Sequence, residues 1–313
     1  MKFRFGLAFL SALLFCGSFS AAQTRFSLLF NEGFGSVKIG DINTTLVSTN
    51  AAYDGLRNTE PGAVAGEFLP VPTRFKDWQV ELRWNVWKGL SIGIAVSGPL
   101  RFAHMSTLTH TIFGYQAGLP QTMNNTLASD INVSAPLRLN LCYAVPIISK
   151  VNLTAHGGIG YYSARIEETW SYVFRMPDNS SLIGKTFTNV SGKQMGCHGG
   201  IALEYILNKR VSLVMAGDWR LAKIESFEGS YLSHGDTFDG NGVITDTLDA
   251  YMEGDFIHYI GDADYIWNVR HEKIKIFSGE PPYYGVDSPS SGRKAFLDLS
   301  GFTFRIGLKI GLF

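Results

Sequence analysis

The chain has 313 residues, 27 basic and 27 acidic side chains, and a pI near 7.1. That balance excludes a nucleic-acid or polyanion partner recruited by bulk charge. Charged residues make up 17% of the chain, below the roughly 25% of soluble domains, and with the abundant glycine and aromatic residues this leans toward a barrel in a membrane and away from disorder.

The first residues, MKFRFGLAFLSALLFCGSFSAAQ, combine a basic start (Lys2, Arg4), an apolar stretch from Phe5 to Phe15 and a small-residue end at Ser20, Ala21 and Ala22. This is the pattern of a secretory signal cleaved after Ala22, with residues 23–313 as one mature domain. Cys16 is not read as a lipoprotein cysteine, because Phe15 stands where a small residue is usual. No later run approaches about 18 apolar residues, so any lipid is met by strands.

Residues 25–37 (RFSLLFNEGFGSV) open the strand series. In 77–87 (DWQVELRWNVW) Trp78, Val80, Leu82, Trp84 and Val86 share one face, opposite Gln79, Glu81, Arg83 and Asn85. A tight turn leads to 90–98 (LSIGIAVSG), a hairpin signal. Residues 131–143 (INVSAPLRLNLCY) alternate again, Ile131 to Tyr143 on an oily face and Asn132 to Cys142 on a wet one. Residues 151–165 follow at once, 194–205 pair with 211–223 across ILNKR, and 296–313 (FLDLSGFTFRIGLKIGLF) close the series. The alternation puts Cys142 on the polar side and Cys197 on the apolar side of another strand, so no disulfide is expected.

Eight strands result, joined alternately by three short turns and four connections, 38–76, 99–129, 167–193 and 227–295. Compact soluble domains use connections of about 4–6 residues. The four long ones read as polar, tyrosine-rich loops, the last of them acidic. Within the last, DYIWNVRHEKIKIF alternates weakly and leaves a ten-stranded barrel open.

The oily faces of the second to eighth strands carry no charge at membrane height, as expected when a lipid-exposed Arg or Lys at midplane costs about 2–4 kcal/mol. The wet faces are mostly small (Ser91, Gly93, Ala95, Ser97, Gly158, Gly160, Gly200, Ala202, Ala216), which suits the narrow lumen of an eight-stranded barrel. Aromatic residues near strand ends (Trp78, Tyr143, Tyr161, Tyr205, Trp219) match interfacial girdles. The expected fold is therefore all-β, a transmembrane antiparallel up-and-down barrel.

In this architecture the mature chain resembles the small eight-stranded outer-membrane barrels of the OmpX-type, OmpW-type and OmpA transmembrane-domain families. The last strand, GFTFRIGLKIGLF, ending on Phe313, is similar to the terminal signal read by the barrel-insertion machinery in that group. It departs from the group in placing Phe302, Phe304, Ile306, Leu308, Ile310 and Leu312 on the face opposite Phe313. The resemblance implies the cell outer membrane as the location, and outer-membrane lipid and the insertion machinery as partners.

Glu81, Arg138, His156, Asp218 and Arg305 are lumen positions at about one height. Buried charges persist when paired, so an internal layer of Arg138 and Arg305 with Glu81 and Asp218 is expected to fill the lumen; a gated pore or a catalytic group is the alternative. His104 and Ser106 lack an acid beside them in sequence, and His156 and His198 lack a third metal ligand. Around DGNG (239–242), the end positions of a calcium loop fall on Thr237 and Leu248, which rules that loop out. No cofactor, metal site or enzymatic activity is expected. The expected role is surface interaction or structure, with the loops meeting host or environmental ligands; the alternative is a passive channel for small solutes or small hydrophobic molecules.

Overall fold

The computed structural model describes residues 25–112, 121–134, 136–259, 267–270, 275–276 and 292–312; the stretch expected to be a signal segment and Phe313 lie outside them. Eight strands form the ring: β1 (Phe26–Ser36), β2 (Arg74–Trp87), β3 (Leu90–Ser97), β4 (Leu137–Ile148), β5 (Val151–Arg175), β6 (Ser181–Ile206), β7 (Val211–Leu221) and β8 (Gly301–Gly311). Each pairs antiparallel with its neighbours, and β8 closes the ring against β1 with Leu28 opposite Ile310 and Gly33 opposite Arg305. The ring is eight-stranded; within the stretch that left ten strands open, Trp267–Arg270 pairs outside the ring with the strand Ile244–Tyr259.

The barrel is inverted relative to a soluble protein. Phe30, Leu82, Ile94, Leu139, Ile159, Ile201, Met215 and Ile306, one from each strand, are exposed on its outer wall. The alternate positions are buried and polar, among them Ser27, Asn31, Gln79, Ser91, Asn140, Thr154 and Ser212. Cys142 is buried and Cys197 exposed, both as free thiols. The outer face of β1 does carry a charge: Glu32 is exposed between Phe30 and Phe34, in register with Trp78 at the end of the apolar band.

Where they are described, the four long connections are largely not loops. β5 and β6 run for 25 and 26 residues, where a crossing needs about 9–11, and they stay paired from Val151–Tyr205 to Arg175–Ser181. Beyond the barrel, Gln121–Val133 joins the upper half of β5 and Leu100–Ile112 joins that strand in turn. On the other side, Phe227–Phe238 pairs with upper β6 and then with Ile244–Tyr259. The first long connection folds into a helix, α1 (Asp41–Thr59).

These pieces enclose a cap with a conventional apolar core. Ile42 and Leu46 of α1 are buried with Phe68, Phe102, Leu108, Leu127, Ile131, Ile166, Val190, Phe227 and Leu297. Fully burying each such side chain is worth about 1.5–3 kcal/mol. Asn43 and Asn50, seven residues apart and so on one face of the helix, lock it to the segment that follows. Asn43 exchanges two hydrogen bonds with the backbone of Val71 (3.0 and 2.7 Å), and Asn50 exchanges two with Phe68 (2.6 and 2.9 Å).

The stretch 131–143 is not one strand with one oily face. The chain leaves the sheet at Ser134 and re-enters at Leu137, with Pro136 in the gap. Ile131 and Val133 are buried in the cap, whereas Leu137, Leu139 and Leu141 face outward. On β5 the inversion needs no break: Tyr161 points out, and the next residue, Tyr162, points in at 0% exposure.

Candidate functional site: a filled lumen beneath a folded cap

Inside the ring, all five predicted positions face inward, and the structure distributes them differently from a single paired layer. Arg305 Nη1 donates to Asp218 and Nη2 to Asp77 Oδ2 at 2.5 Å, with the guanidinium 1% exposed. His156 Nε2 lies 2.5 Å from the other oxygen of Asp218. Glu81 pairs with its own strand neighbour: Arg83 donates to both carboxylate oxygens, at 2.7 and 3.1 Å. Gln79 and Cys142 add weaker contacts to Glu81. Lower still, Lys309 donates to Glu204 at 3.0 Å. Arg138 is buried at 3% exposure, but no acid among the described residues pairs with it.

Glycines make the seats for these side chains. A Cβ on Gly93 would stand 2.1 Å from Glu81 Oε1, and one on Gly33 would stand 2.9 Å from Cγ of Arg305. What remains of the lumen is a cavity of about 10 Å³, bounded by Glu81, Arg83, Arg138, Asn140, His156, His198 and Asp218. That is room for about one water-sized body.

The lumen ends against the cap. Arg220 donates to the Leu299 carbonyl (2.8 Å) and sits 5.2 Å from the centre of the Phe75 ring, which packs edge-on against Phe102. The rim is tied down by Asp41 at the start of α1. It accepts two bonds from Arg293 (2.5 and 2.7 Å) and one from the Phe296 amide (2.9 Å). A small sheet of Ile39–Gly40, Lys223–Ile224 and Leu297–Asp298 completes the roof.

Asp77 was the acid missing from the sequence-based layer, although it shares the alternating face of Gln79 and Glu81. The helix also left a signal: Ile42, Leu46, Thr49, Tyr53 and Leu56 are spaced four, three, four and three apart, one face of an α-helix.

Two histidine arrangements outside the barrel fall short of catalytic geometry. His104 Nε2 lies 3.2 Å from Ser106 Oγ, but His104 Nδ1 is buried without an acid and Ser106 is buried beneath the cap. Burial lowers the His104 pKa. On the cap surface both nitrogens of His234 are engaged, by Asp249 (2.6 Å) and Asp236 (3.3 Å). This leaves no free nitrogen to activate a nucleophile. Among the described residues no group of three His, Cys, Asp or Glu side chains is placed to hold a metal.

The outward apolar band, the polar lumen and the closed antiparallel ring define a transmembrane β-barrel of the eight-stranded type. No family model matches the chain, and no curated protein matches it. Solved structures of similar shape include the outer membrane protein OprG from Pseudomonas aeruginosa, at 10% identity and a TM-score of 0.35, covering 92% of this chain and 96% of that one. A major outer membrane protein from Thermus thermophilus is 11% identical with a TM-score of 0.29, covering 91% and 98%. The outer membrane protease OmpT from Escherichia coli is 10% identical with a TM-score of 0.26, covering 94% and 99%.

Proposed function

We propose that this chain is an integral outer-membrane barrel that does not conduct and that presents its folded cap, on the cell surface, to molecules outside. One observation carries the reading: the lumen is closed twice, by the ion pairs around Arg305 and by the apolar cap core above them. A solute path through the barrel needs both to open. The short turns then face the periplasm and the cap faces outward, as in barrels with short periplasmic turns and larger external segments. Outer-membrane lipid and the barrel-insertion machinery are the partners this placement implies, and host or environmental molecules are the ligands expected at the cap. No enzymatic role is proposed, because Ser106 is closed off and His234 is held by two carboxylates.

Purified protein in planar bilayers at neutral pH is expected to give no sustained current. Stable high-conductance openings would overturn the closed-barrel reading in favour of passive solute passage. Protease added to whole cells is expected to cut within 227–259; protection of that segment, with cleavage only after the cells are opened, would overturn the outward placement of the cap.

A further inference from the structure

The lumen charges do not balance. The lower group, Arg83 and Lys309 with Glu81 and Glu204, is neutral by pairing. The upper group sets Arg138, Arg220 and Arg305 against Asp77 and Asp218. One positive charge is left over, because Arg305 takes both aspartates. Among the described residues neither Arg220 nor Arg138 has an ion pair with an acid, but Arg220 donates to the Leu299 carbonyl and lies over the Phe75 ring, whereas Arg138 faces the cavity. Its Nε is buried without a hydrogen-bond partner, as are Arg220 Nη2, Arg305 Nε and the Tyr162 hydroxyl. Asp77 Oδ1 and Asn31 Oδ1 are the unpartnered carboxyl and amide oxygens of the lumen among those residues. Neither lies on a group that pairs with Arg138.

An arginine cannot escape this position by losing its proton. An uncompensated ion in a sealed, low-dielectric interior costs several kcal/mol. Arg138 lines the lumen cavity, together with Asn140 and His198. The two carboxylates on that cavity are already satisfied, Asp218 by Arg305 and His156, and Glu81 by Arg83. The volume, about 10 Å³, is that of about one water-sized body, which leaves a single-atom ion as the anion nearest in size and excludes sulfate, phosphate or a carboxylic acid.

We propose that the barrel holds one halide ion against Arg138, as a resident counter-ion of the lumen. The proposal takes from the closed-barrel reading only that the ion stays in place. Conductance tests that reading and the experiment below tests this one, so each fails separately.

The test uses the mature protein extracted in detergent and crystallised from sodium bromide. One bromide anomalous peak per chain, in contact with the Arg138 guanidinium and absent from Arg138→Met crystals, is the expected result. A water at that position with no anomalous signal overturns the proposal, and so does a bromide peak that persists in Arg138→Met. If the variant does not fold, the wild-type protein decides alone. Its thermal midpoint is expected to be higher in bromide or chloride than in gluconate at equal ionic strength, since gluconate cannot enter the cavity. Equal midpoints, or no wild-type peak, overturn the proposal.

Discussion

Arg305 and Asp77 are 228 residues apart in sequence and meet at 2.5 Å inside the barrel. The contact spans β8, β1 and β2, so it can form only when the ring is closed. Arg305→Met leaves Asp77 and Asp218 without their shared cation. The expected cost is about 3–5 kcal/mol, read as a lower denaturant midpoint in detergent with loss of the fast-migrating unboiled gel band. Arg305→Met combined with Asp77→Asn and Asp218→Asn is expected to recover much of it, because the stranded charges are gone. A triple variant no more stable than the single one would count against the pairing.

Ile131 and Leu139 lie on one alternating face in the sequence but on opposite sides of the wall in the structure. Ile131→Ala opens a hole in a packed core, with an expected cost of about 2–5 kcal/mol. Leu139→Ala trims a side chain that is 48% exposed on the outer wall and leaves no hole in a packed core, and its effect is expected to be well under that. Equal effects in a thermal unfolding series would remove the inversion at 134–136.

The fold was legible in the sequence wherever one rule of alternation held over a whole strand: all eight ring strands follow from it. The cap was not, for two reasons. Above the membrane the same period of two continues while its meaning reverses, as at Tyr161 and Tyr162, so the upper halves of β5 and β6 read as polar loop. Inside the lumen, alternation tells which way Glu81 points but not which cation it meets, and Arg83, two residues away on the same face, is nearer than Arg138. Asp77 was legible by parity and lay at the edge of the strand as read.

Asn50 fixes the segment after α1 by bonding both the amide and the carbonyl of Phe68. Asn50→Ala strands both backbone groups, at an expected cost of about 1–3 kcal/mol. Because α1 is part of the roof, the expected readout is local: faster protease cleavage within 60–73, with the gel mobility of the barrel unchanged. A slowed or unaltered cleavage rate would argue that the helix is held by its apolar face alone.

Glu168, on the part of β5 above the membrane, is half-buried. Burial pushes its carboxyl up to about 7, against the pull of the Ser129 hydroxyl. A folded pKa above the unfolded one of about 4.3 means the folded cap binds the extra proton. Cap stability is therefore greatest below that lower value and falls as the pH rises through about 7. Glu168→Gln is expected to stabilise the cap by about 2–3 kcal/mol at pH 8 and to be nearly neutral at pH 4. An unchanged pH slope in the variant would exclude Glu168 as its source.

His234 is exposed on the cap, and its hydrogen bond to Asp249, with Asp236 alongside, raises its pKa. The pairing of Phe227–Phe238 with Ile244–Tyr259 is therefore supported while the imidazole is protonated. That support is lost as the pH rises through the raised value. Asp249→Asn is expected to move the His234 NMR titration to lower pH. A midpoint unmoved by that substitution would mean the aspartate does not hold the proton.

The change of sides at Ser134 and at Tyr161–Tyr162 also constrains how the molecule is made. With the cap on the cell surface, as proposed, Ile131, Ile166 and Phe227 have to cross the bilayer before they pack together, and the summit condenses in water. The inversion points work as a depth gauge as well. A chain seated too high would wet Leu139, and one seated too low would drown the roof in hydrocarbon, so the sequence marks its own waterline.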